Sequence, residues 1–148
     1  MTQINFMQEA LEEAKIAFEK DEVPVGAIIV KNSQIIARAH NQNIAQTDPT
    51  AHAEILAIRA AAKALNSSRL DDCDLYVTLE PCPMCTTAIA LSRINRLYFS
   101  CHDQKFGAIE SNLQIFNSNL SLHKPEIYSG FFESESKQLL KDFFQSKR

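Results

Sequence analysis

Apolar residues recur at helical spacing near the start of the chain. This spacing places Phe6, Ala10, Ala14 and Phe18 on one side of a helix and leaves glutamate and lysine side chains on the other side. The pattern predicts an amphipathic helix over residues 5–20 that packs on a core by its apolar face.

The pattern then becomes typical of a β-hairpin. Residues 27–30 form a wholly apolar run, residues 31–33 are polar turn formers, and residues 34–39 form a second strand-like run. Residues 40–51 show no clear period, and an Asp-Pro pair at residues 48–49 interrupts regular structure within them. We therefore expect two paired strands followed by an irregular connection.

Helical and strand-like segments alternate over the rest of the chain. Helices are predicted over residues 52–64, 85–91 and 133–144, and strands over residues 75–79, 94–99 and 125–128. The helix over residues 85–91 is expected to open with Pro83 in its first turn. Residues 100–123 form a long irregular connection, a feature that is often functional in a compact domain. The order of elements predicts one α/β domain over residues 1–148, with helices on both faces of a mixed sheet.

Composition limits the class of protein. Hydrophobic residues make up 45% of the 148 residues and charged residues 22%, which is typical of a globular chain. No apolar run approaches the roughly 20 residues that span a bilayer, and residues 1–13 do not resemble a signal peptide, so no membrane partner is expected. Four cysteines, two of them in one C-x-x-C, favour a reducing, cytoplasmic setting. The net charge of −3 argues only weakly against nucleic-acid binding.

Two short motifs contain the residue types of a metal site. Residues 52–54 read His-Ala-Glu, and residues 81–85 read Pro-Cys-Pro-Met-Cys. An imidazole and two thiolates suit zinc, and three protein ligands leave a fourth position for water, as in catalytic zinc sites. Zinc lowers the pKa of such a water toward about 7, and Glu54 could move protons beside it. The combined pattern is the signature of zinc-dependent nucleobase deaminases.

The spacing within each motif makes a geometric demand. Cys82 and Cys85 are three positions apart, which places them on one face of a helix. His52 and Glu54 are two positions apart and would point about 200° away from each other within a helix. They can meet only if His52 lies at the irregular start of the helix, which the Asp-Pro pair before it favours.

The same cysteines permit other interpretations. A lone C-x-x-C can be a redox pair or half of a structural zinc site. A four-ligand cage could be completed by His40, Cys73, Cys101, His102 or His123. The chain would then be a non-catalytic, zinc-stabilised RNA-binding subunit or a protein-interaction module. The pairing of His-x-Glu with Pro-Cys-x-x-Cys, each at the start of a predicted helix, favours the catalytic interpretation.

Beyond these motifs, the sequence resembles the bacterial tRNA-specific adenosine deaminases over nearly the whole chain. The resemblance rests on residues 22–27, 48–54, 76–85, 92–94, 103–108 and 142–144. It implies a three-layer, cytidine-deaminase-like fold with a five-stranded mixed sheet, one zinc ion per subunit and a homodimer. It also implies conversion of the wobble adenosine of a tRNA anticodon stem-loop to inosine, with arginine tRNA as the expected partner. A deaminase of a free base or nucleoside, such as guanine or cytosine, remains the nearest alternative.

The resemblance also assigns roles to individual residues. It implies Glu54 as the catalytic residue and His52, Cys82 and Cys85 as the metal ligands. The implied substrate contacts are Asn41 with the flipped adenine, Val25, Ala27 and Leu79 in its pocket, Asp103 and Lys105 in a loop that holds neighbouring nucleotides, and Phe143 and Phe144 beside the RNA path.

Several of these residues have a plainer alternative role. The three pocket residues could be strand core, the two phenylalanines could anchor a helix, and Asn41 could cap a turn. Phe106 and His102 depart from the family pattern. Candidate phosphate contacts are Lys105, His123, Lys124, Lys147 and Arg148.

Overall fold

The computed structural model describes residues 2–147, over which the chain forms a five-stranded β-sheet and four α-helices. In chain order the elements are α1 (Gln3–Glu19), β1 (Gly26–Lys31), β2 (Gln34–His40), α2 (Ala53–Leu65), β3 (Cys73–Leu79), α3 (Pro83–Ser92), β4 (Arg96–Cys101), β5 (Glu126–Ser129) and α4 (Glu133–Ser146). A short 3-10 turn, Ile115–Asn117, lies between β4 and β5. The predicted order of helices and strands and the α/β class are therefore confirmed.

The sheet has the strand order β2-β1-β3-β4-β5. Strand β1 pairs antiparallel with β2 and β3, whereas β3, β4 and β5 run parallel to one another. Because β3 and β4 are parallel, their carboxyl ends lie at the same edge of the sheet. The segments that follow them, beginning at Glu80 and His102, therefore start side by side, at the edge where open α/β sheets bind ligands.

Side chains of β1 alternate between the two faces of the sheet. Ile28 and Val30 pack with Phe6 of α1 on one face, whereas Ala27 and Ile29 pack on the other face with alanines of α2. Burial on both faces explains why this strand is a continuous apolar run. Among residues 2–147, no helix has the length and apolar character needed to cross a membrane.

Gly26 allows α1 to pack directly on the start of β1. A Cβ atom at this position would lie 2.0 Å from the carbonyl oxygen of Ala10 and 2.5 Å from the backbone nitrogen of Ala14. A larger residue would therefore push the helix away from the sheet. The Gly26 N–H also donates a hydrogen bond to the Thr78 hydroxyl at 3.1 Å, which ties the start of β1 to β3.

The element boundaries differ from the predicted ones by at most two residues, and the starts of α3 and β4 have local causes. Helix α3 begins at Pro83, which confirms the prediction that this proline opens the helix, since proline is already suited to the first helical turn. Strand β4 begins later than predicted, at Arg96. Arg93 adopts a left-handed conformation (φ 66°) and the Ile94 N–H donates to the Ile89 carbonyl, so this segment closes the end of α3 before the strand starts.

Candidate active site

The turn before α2 determines where His52 points. Asp48 accepts hydrogen bonds from the backbone N–H of Thr50 at 2.8 Å and from its hydroxyl at 2.7 Å. His52 then adopts an extended conformation (φ −75°, ψ 151°) immediately before the helix, and Glu54 lies in the first helical turn. The prediction that His52 precedes the helix is confirmed, and the extended residue is what allows both side chains to face one cleft.

The two cysteines occupy the start of α3. Cys82 is the extended residue before the helix (φ −74°, ψ 173°), and Cys85 is buried in the first turn. The Nδ1 atom of His52 lies 3.7 Å from the sulfur of Cys82 and 3.5 Å from the sulfur of Cys85. The ligand atoms of the three residues all lie within 4.8 Å of one another, so this group could hold a metal ion.

Hydrogen bonding within this group favours a negative charge on sulfur. The Cys85 thiol donates to the Cys82 sulfur, which lowers the pKa of Cys82 to about 4 with further help from His52. The same hydrogen bond, together with burial, raises the pKa of Cys85 above its usual range. The interaction with Cys82 also raises the pKa of His52. These interactions favour deprotonation of Cys82, and the thiolate is the form of cysteine that binds a divalent cation.

Glu54 is the carboxyl group beside these three side chains. Only 4% of its surface is exposed, and this burial raises the pKa of Glu54 to about 7. Both protonation states are therefore accessible near neutral pH. A group with this property, facing a cleft, can exchange protons with a bound molecule.

The residues that could have completed a four-ligand structural site have other surroundings. They are His40 beside Glu13, His102 beside Glu110, His123 beside the Ile94 carbonyl oxygen, Cys101 beside the Thr78 carbonyl oxygen, and Cys73 in the sheet core. In the part of the chain that the structure describes, no fourth His, Cys, Asp or Glu joins the group of three. The arrangement matches the three-ligand pattern of catalytic metal sites better than a closed cage.

A cleft of about 880 Å³ opens beside His52, Glu54 and Cys82. Most of the predicted substrate contacts line it, namely Val25, Asn41, Leu79, Asp103, Lys105 and Phe144. Sequence reasoning gave no substrate role to other lining residues, among them Asn43, Met84, Gln104, Phe106 and Leu140. Four of these come from loops or a helix start with no apolar period of their own, whereas Leu140 lies within α4, so only the tertiary structure places them at the cleft.

Asn41 both caps a helix and lines the cleft. Its side-chain oxygen accepts a hydrogen bond from the backbone N–H of Ala53 at 2.7 Å, at the first residue of α2. Its own backbone N–H donates to the Val25 carbonyl at 3.1 Å. Asn41 therefore holds the start of α2, and with it His52, against the start of β1.

Ala27 and Phe143 are not brought to the cleft. Ala27 is fully buried in the core between β1 and α2. Phe143 packs edge-on against Phe18 of α1, with ring centroids 6.1 Å apart, and so anchors α4. Both side chains point to the interior of their layers, and neither lines the cleft. Phe144, the next residue, is half exposed and reaches the cleft.

Lys105 is the basic candidate that lies at the cleft. The other candidates that the structure describes do not line it. His123 forms a hydrogen bond with a backbone carbonyl, Lys147 pairs with Asp21, and Lys124 is exposed on the connection before β5. Arg148 lies outside the described residues.

Glu80, a buried carboxylate directly after β3, was given no role from the sequence. Its oxygens accept hydrogen bonds at 2.8–3.0 Å from the backbone N–H groups of Asp103, Ile109, Glu110 and Ser111, and a further one from the Ser111 hydroxyl. Burial by itself raises the pKa of Glu80, but these hydrogen bonds outweigh it and hold the pKa below its usual value. Glu80 therefore ties residues 103–111 to the turn that carries Cys82.

Gly107 belongs to the same arrangement. A Cβ atom there would lie 2.4 Å from the carboxyl carbon of Glu80 and 2.5 Å from the Asp103 carbonyl oxygen. Only glycine allows the loop to approach the carboxylate this closely. Two features of the sequence could have indicated this arrangement. They are the single charged residue between a buried strand and the Pro-Cys motif, and the glycine in the irregular connection.

Comparison with known proteins identifies clear relatives. A family model described as MafB19-like deaminase matches residues 1–148. The tRNA-specific adenosine deaminase of Rickettsia bellii is 51% identical over 144 residues, covering 96% of this chain and 99% of that protein. A structure from a study of A-to-I editing by tRNA:A34 deaminases at the wobble position has a TM-score of 0.91 and 49% identity, covering 93% of this chain and 100% of that chain. A guanine deaminase structure from Bacillus subtilis has a TM-score of 0.68 and 33% identity, covering 82% and 88%.

The Glu80 arrangement predicts a large effect of Glu80→Gln. In one orientation the NH₂ group of a glutamine would face the Asp103 N–H and the Ser111 hydroxyl, and in the other it would face the N–H groups of Ile109, Glu110 and Ser111, so at least one backbone N–H loses its acceptor. We expect a loss of about 2–4 kcal/mol in the free energy of unfolding, measured by urea denaturation. Hydrogen exchange should accelerate at the amides of residues 103–111.

Glu110→Gln is the matched control, because Glu110 is an exposed carboxylate of the same loop whose side chain pairs with His102 at the surface. We expect a change within about 0.5 kcal/mol. Equal effects of the two substitutions would contradict the role given to Glu80.

Proposed function

The chain belongs to the MafB19-like deaminase family, and we infer that it is a hydrolytic deaminase that converts adenosine to inosine at the wobble position of tRNA. The main support for this substrate is the alignment of nearly the whole chain with tRNA-specific adenosine deaminases. The cleft agrees with this reaction, since a candidate metal group and a buried carboxyl line it. A wobble base lies in a folded loop, so it must be splayed out to reach them.

We propose zinc as the metal, one ion per chain, held by His52, Cys82 and Cys85. The donor set supports this choice, because one imidazole and two thiolates within a few ångströms suit zinc in type and number. When bound, zinc would make water a sufficiently strong nucleophile at neutral pH.

Glu54 is proposed to carry the protons of the reaction. Its carboxylate accepts a proton from the attacking water and passes it to a ring nitrogen of adenine as carbon 6 becomes tetrahedral. It then accepts the remaining proton from the hydroxyl on carbon 6 and donates it to the exocyclic amine. The carbon–nitrogen bond breaks, ammonia leaves, and the carbonyl of inosine forms. One side chain can perform these transfers because they follow one another.

The cleft walls are proposed to select the base. The Asn41 side chain would hydrogen-bond the adenine through the part of its amide that does not cap α2. Val25 and Leu79 offer apolar contact to the base, and Asp103 and Lys105 would meet the neighbouring nucleotides. Phe144 would lie beside the RNA path, where its half-exposed ring can be covered on binding.

The proposed partner is the anticodon stem-loop of arginine tRNA, bound by a homodimer. Apolar surface supports self-association, since Leu91 on α3 is 72% exposed and this helix starts at the proposed metal ligands. The cysteines are free thiols, and a reducing compartment such as the cytoplasm would keep them available for zinc.

A deaminase of free guanine is the second candidate, because a guanine deaminase shares the fold at 33% identity. It requires the same metal group and the same carboxyl. Only the substrate separates the two, so free guanine, cytosine and adenosine belong in the assay as competing substrates.

The substrate is tested by incubating the purified protein with an arginine tRNA that carries adenosine at the wobble position, and measuring inosine by mass spectrometry of the nucleosides. We expect inosine at that position. Glu54→Ala should lower the rate by about 100- to 10,000-fold because the proton carrier is lost, while metal content stays unchanged. Release of ammonia from a free base, with no inosine in tRNA, would replace the tRNA assignment by the second candidate.

The metal assignment is tested by elemental analysis of protein purified without chelator. We expect one zinc per chain in the wild type and a large loss in Cys85→Ser, whereas Cys101→Ser, a buried cysteine outside the group, should retain zinc. Because zinc displaces protons from its ligands, its affinity should fall as the pH is lowered. Full zinc content in Cys85→Ser would exclude this ligand set.

The homodimer is tested by sedimentation of the purified protein at several concentrations. We expect a species with the mass of two chains, and Leu91→Lys should shift it toward one chain because a charge would be buried in the contact. Ile4→Lys, on the exposed side of α1, serves as the matched control and should leave the dimer intact. A wild type that remains a single chain at all concentrations would contradict the proposal.

A further inference from the structure

Phe106 is an exposed aromatic ring at the cleft. About two thirds of its surface is accessible (66%), although Phe is among the residue types most often buried. Its side chain lines the same cleft as His52 and Glu54. A molecule that enters the cleft and covers this ring would gain hydrophobic free energy.

The loop that carries Phe106 is held in a defined turn. The side chain of Asp103 accepts hydrogen bonds from the backbone N–H groups of Lys105 at 3.0 Å and Phe106 at 3.1 Å. The next residue, Gly107, donates to the Asp103 carbonyl at 2.9 Å and lies against the Glu80 carboxylate. The ring is therefore presented by backbone that is ordered before any ligand arrives, which reduces the entropy lost on binding.

The groups around Phe106 suit the binding of a single nucleotide, that is, one base together with its phosphate. Lys105 precedes it on the exposed side of the same turn and supplies a cation at the cleft. An aromatic face beside a flexible cation fits a nucleobase together with its phosphate, because bases stack on aromatic side chains and phosphates attract lysine. The adenine itself must go deeper, to Glu54. The base that Phe106 can meet is therefore a neighbour of the adenine in the RNA chain.

We propose that Phe106 is a stacking platform for the base adjacent to the reacting adenosine, with Lys105 on the phosphate that joins the two nucleotides. This inference rests on the proposed function, since it requires an RNA substrate. It adds an aromatic stacking contact to the part of the cleft where Asp103 and Lys105 are proposed to meet the neighbouring nucleotides, and this contact recognises the strand and not the reacting base. A free base or nucleoside has no group that could make it.

The stacking contact is tested by steady-state kinetics on an anticodon stem-loop RNA. Phe106→Ala should lower kcat/KM by about 5- to 100-fold, mainly through a higher KM, because base stacking is lost while the reacting groups are unchanged. Phe106→Trp should retain most of the activity, since it keeps an aromatic face. Phe106→Leu should resemble Phe106→Ala, since it is apolar but lacks that face.

Modified RNAs identify the base that stacks. An abasic site placed on one side of the adenosine, either 5′ or 3′, should reduce wild-type kcat/KM to the level of Phe106→Ala, and the substitution should then have no further effect on that RNA. Ile4→Ala, a change at an exposed apolar residue of α1 away from the cleft, should not alter kcat/KM on any of the RNAs. Full activity of Phe106→Leu, or an equal loss from Phe106→Ala on intact and both abasic RNAs, would overturn the proposal.

RNA affinity separates this inference from the proposed function. Fluorescence anisotropy with the Glu54→Ala protein reports binding without turnover. If the wild type makes no inosine but Phe106→Ala weakens binding of the intact RNA in this background, the deaminase assignment fails and the stacking contact stands. If inosine forms and Phe106→Ala changes neither KM nor affinity, the stacking contact fails and the deaminase assignment stands.

Discussion

The cleft depends on one buried carboxylate, Glu80, which lies between the end of β3 and the turn that carries Cys82. Burying this charge is costly, and the cost is offset because residues 103–111 direct four backbone N–H groups and one hydroxyl toward it. Those residues have no helix or strand pairing of their own. Their conformation, and with it the positions of Asp103, Lys105 and Phe106, therefore follows from a side chain at the neighbouring strand end.

A second buried carboxylate, Glu22, holds the irregular segment before His52 in the same way. Glu22 is buried, and its carboxylate accepts hydrogen bonds from the backbone N–H groups of Ile44 and Ala45 at 3.1 and 2.8 Å. The segment that it holds leads from Asn41 toward His52. Buried carboxylates thus fix two irregular segments that contribute residues to the cleft. They accept hydrogen bonds from backbone N–H groups that would otherwise need the carbonyl oxygens of a neighbouring strand. A cleft built in this way is formed before a substrate binds.

Sheet topology brings these parts together. Because β3 and β4 are parallel, the segment that begins at Glu80 and the loop that it holds leave the sheet at the same edge. Helices α2 and α3 both begin near this edge, and each has a proposed metal ligand in extended conformation just before its first turn. Two helix starts and two strand ends thus surround the cleft, so groups with different roles can meet without distortion of the core.

The sequence by itself determined the α/β order, the pairing of the two short motifs, and the demand that His52 lie just outside a helix. These follow from local rules, namely apolar period, turn chemistry and the rotation per residue of a helix. Element boundaries such as the start of β4 depended on a left-handed cap at Arg93 that no period reveals. Only the tertiary structure decided that Ala27 and Phe143 are core, that Phe106 is an exposed cleft residue, and that Glu80 holds the loop. Those outcomes depend on which strand ends lie side by side, and contacts between residues distant in the chain leave no periodic pattern in the sequence.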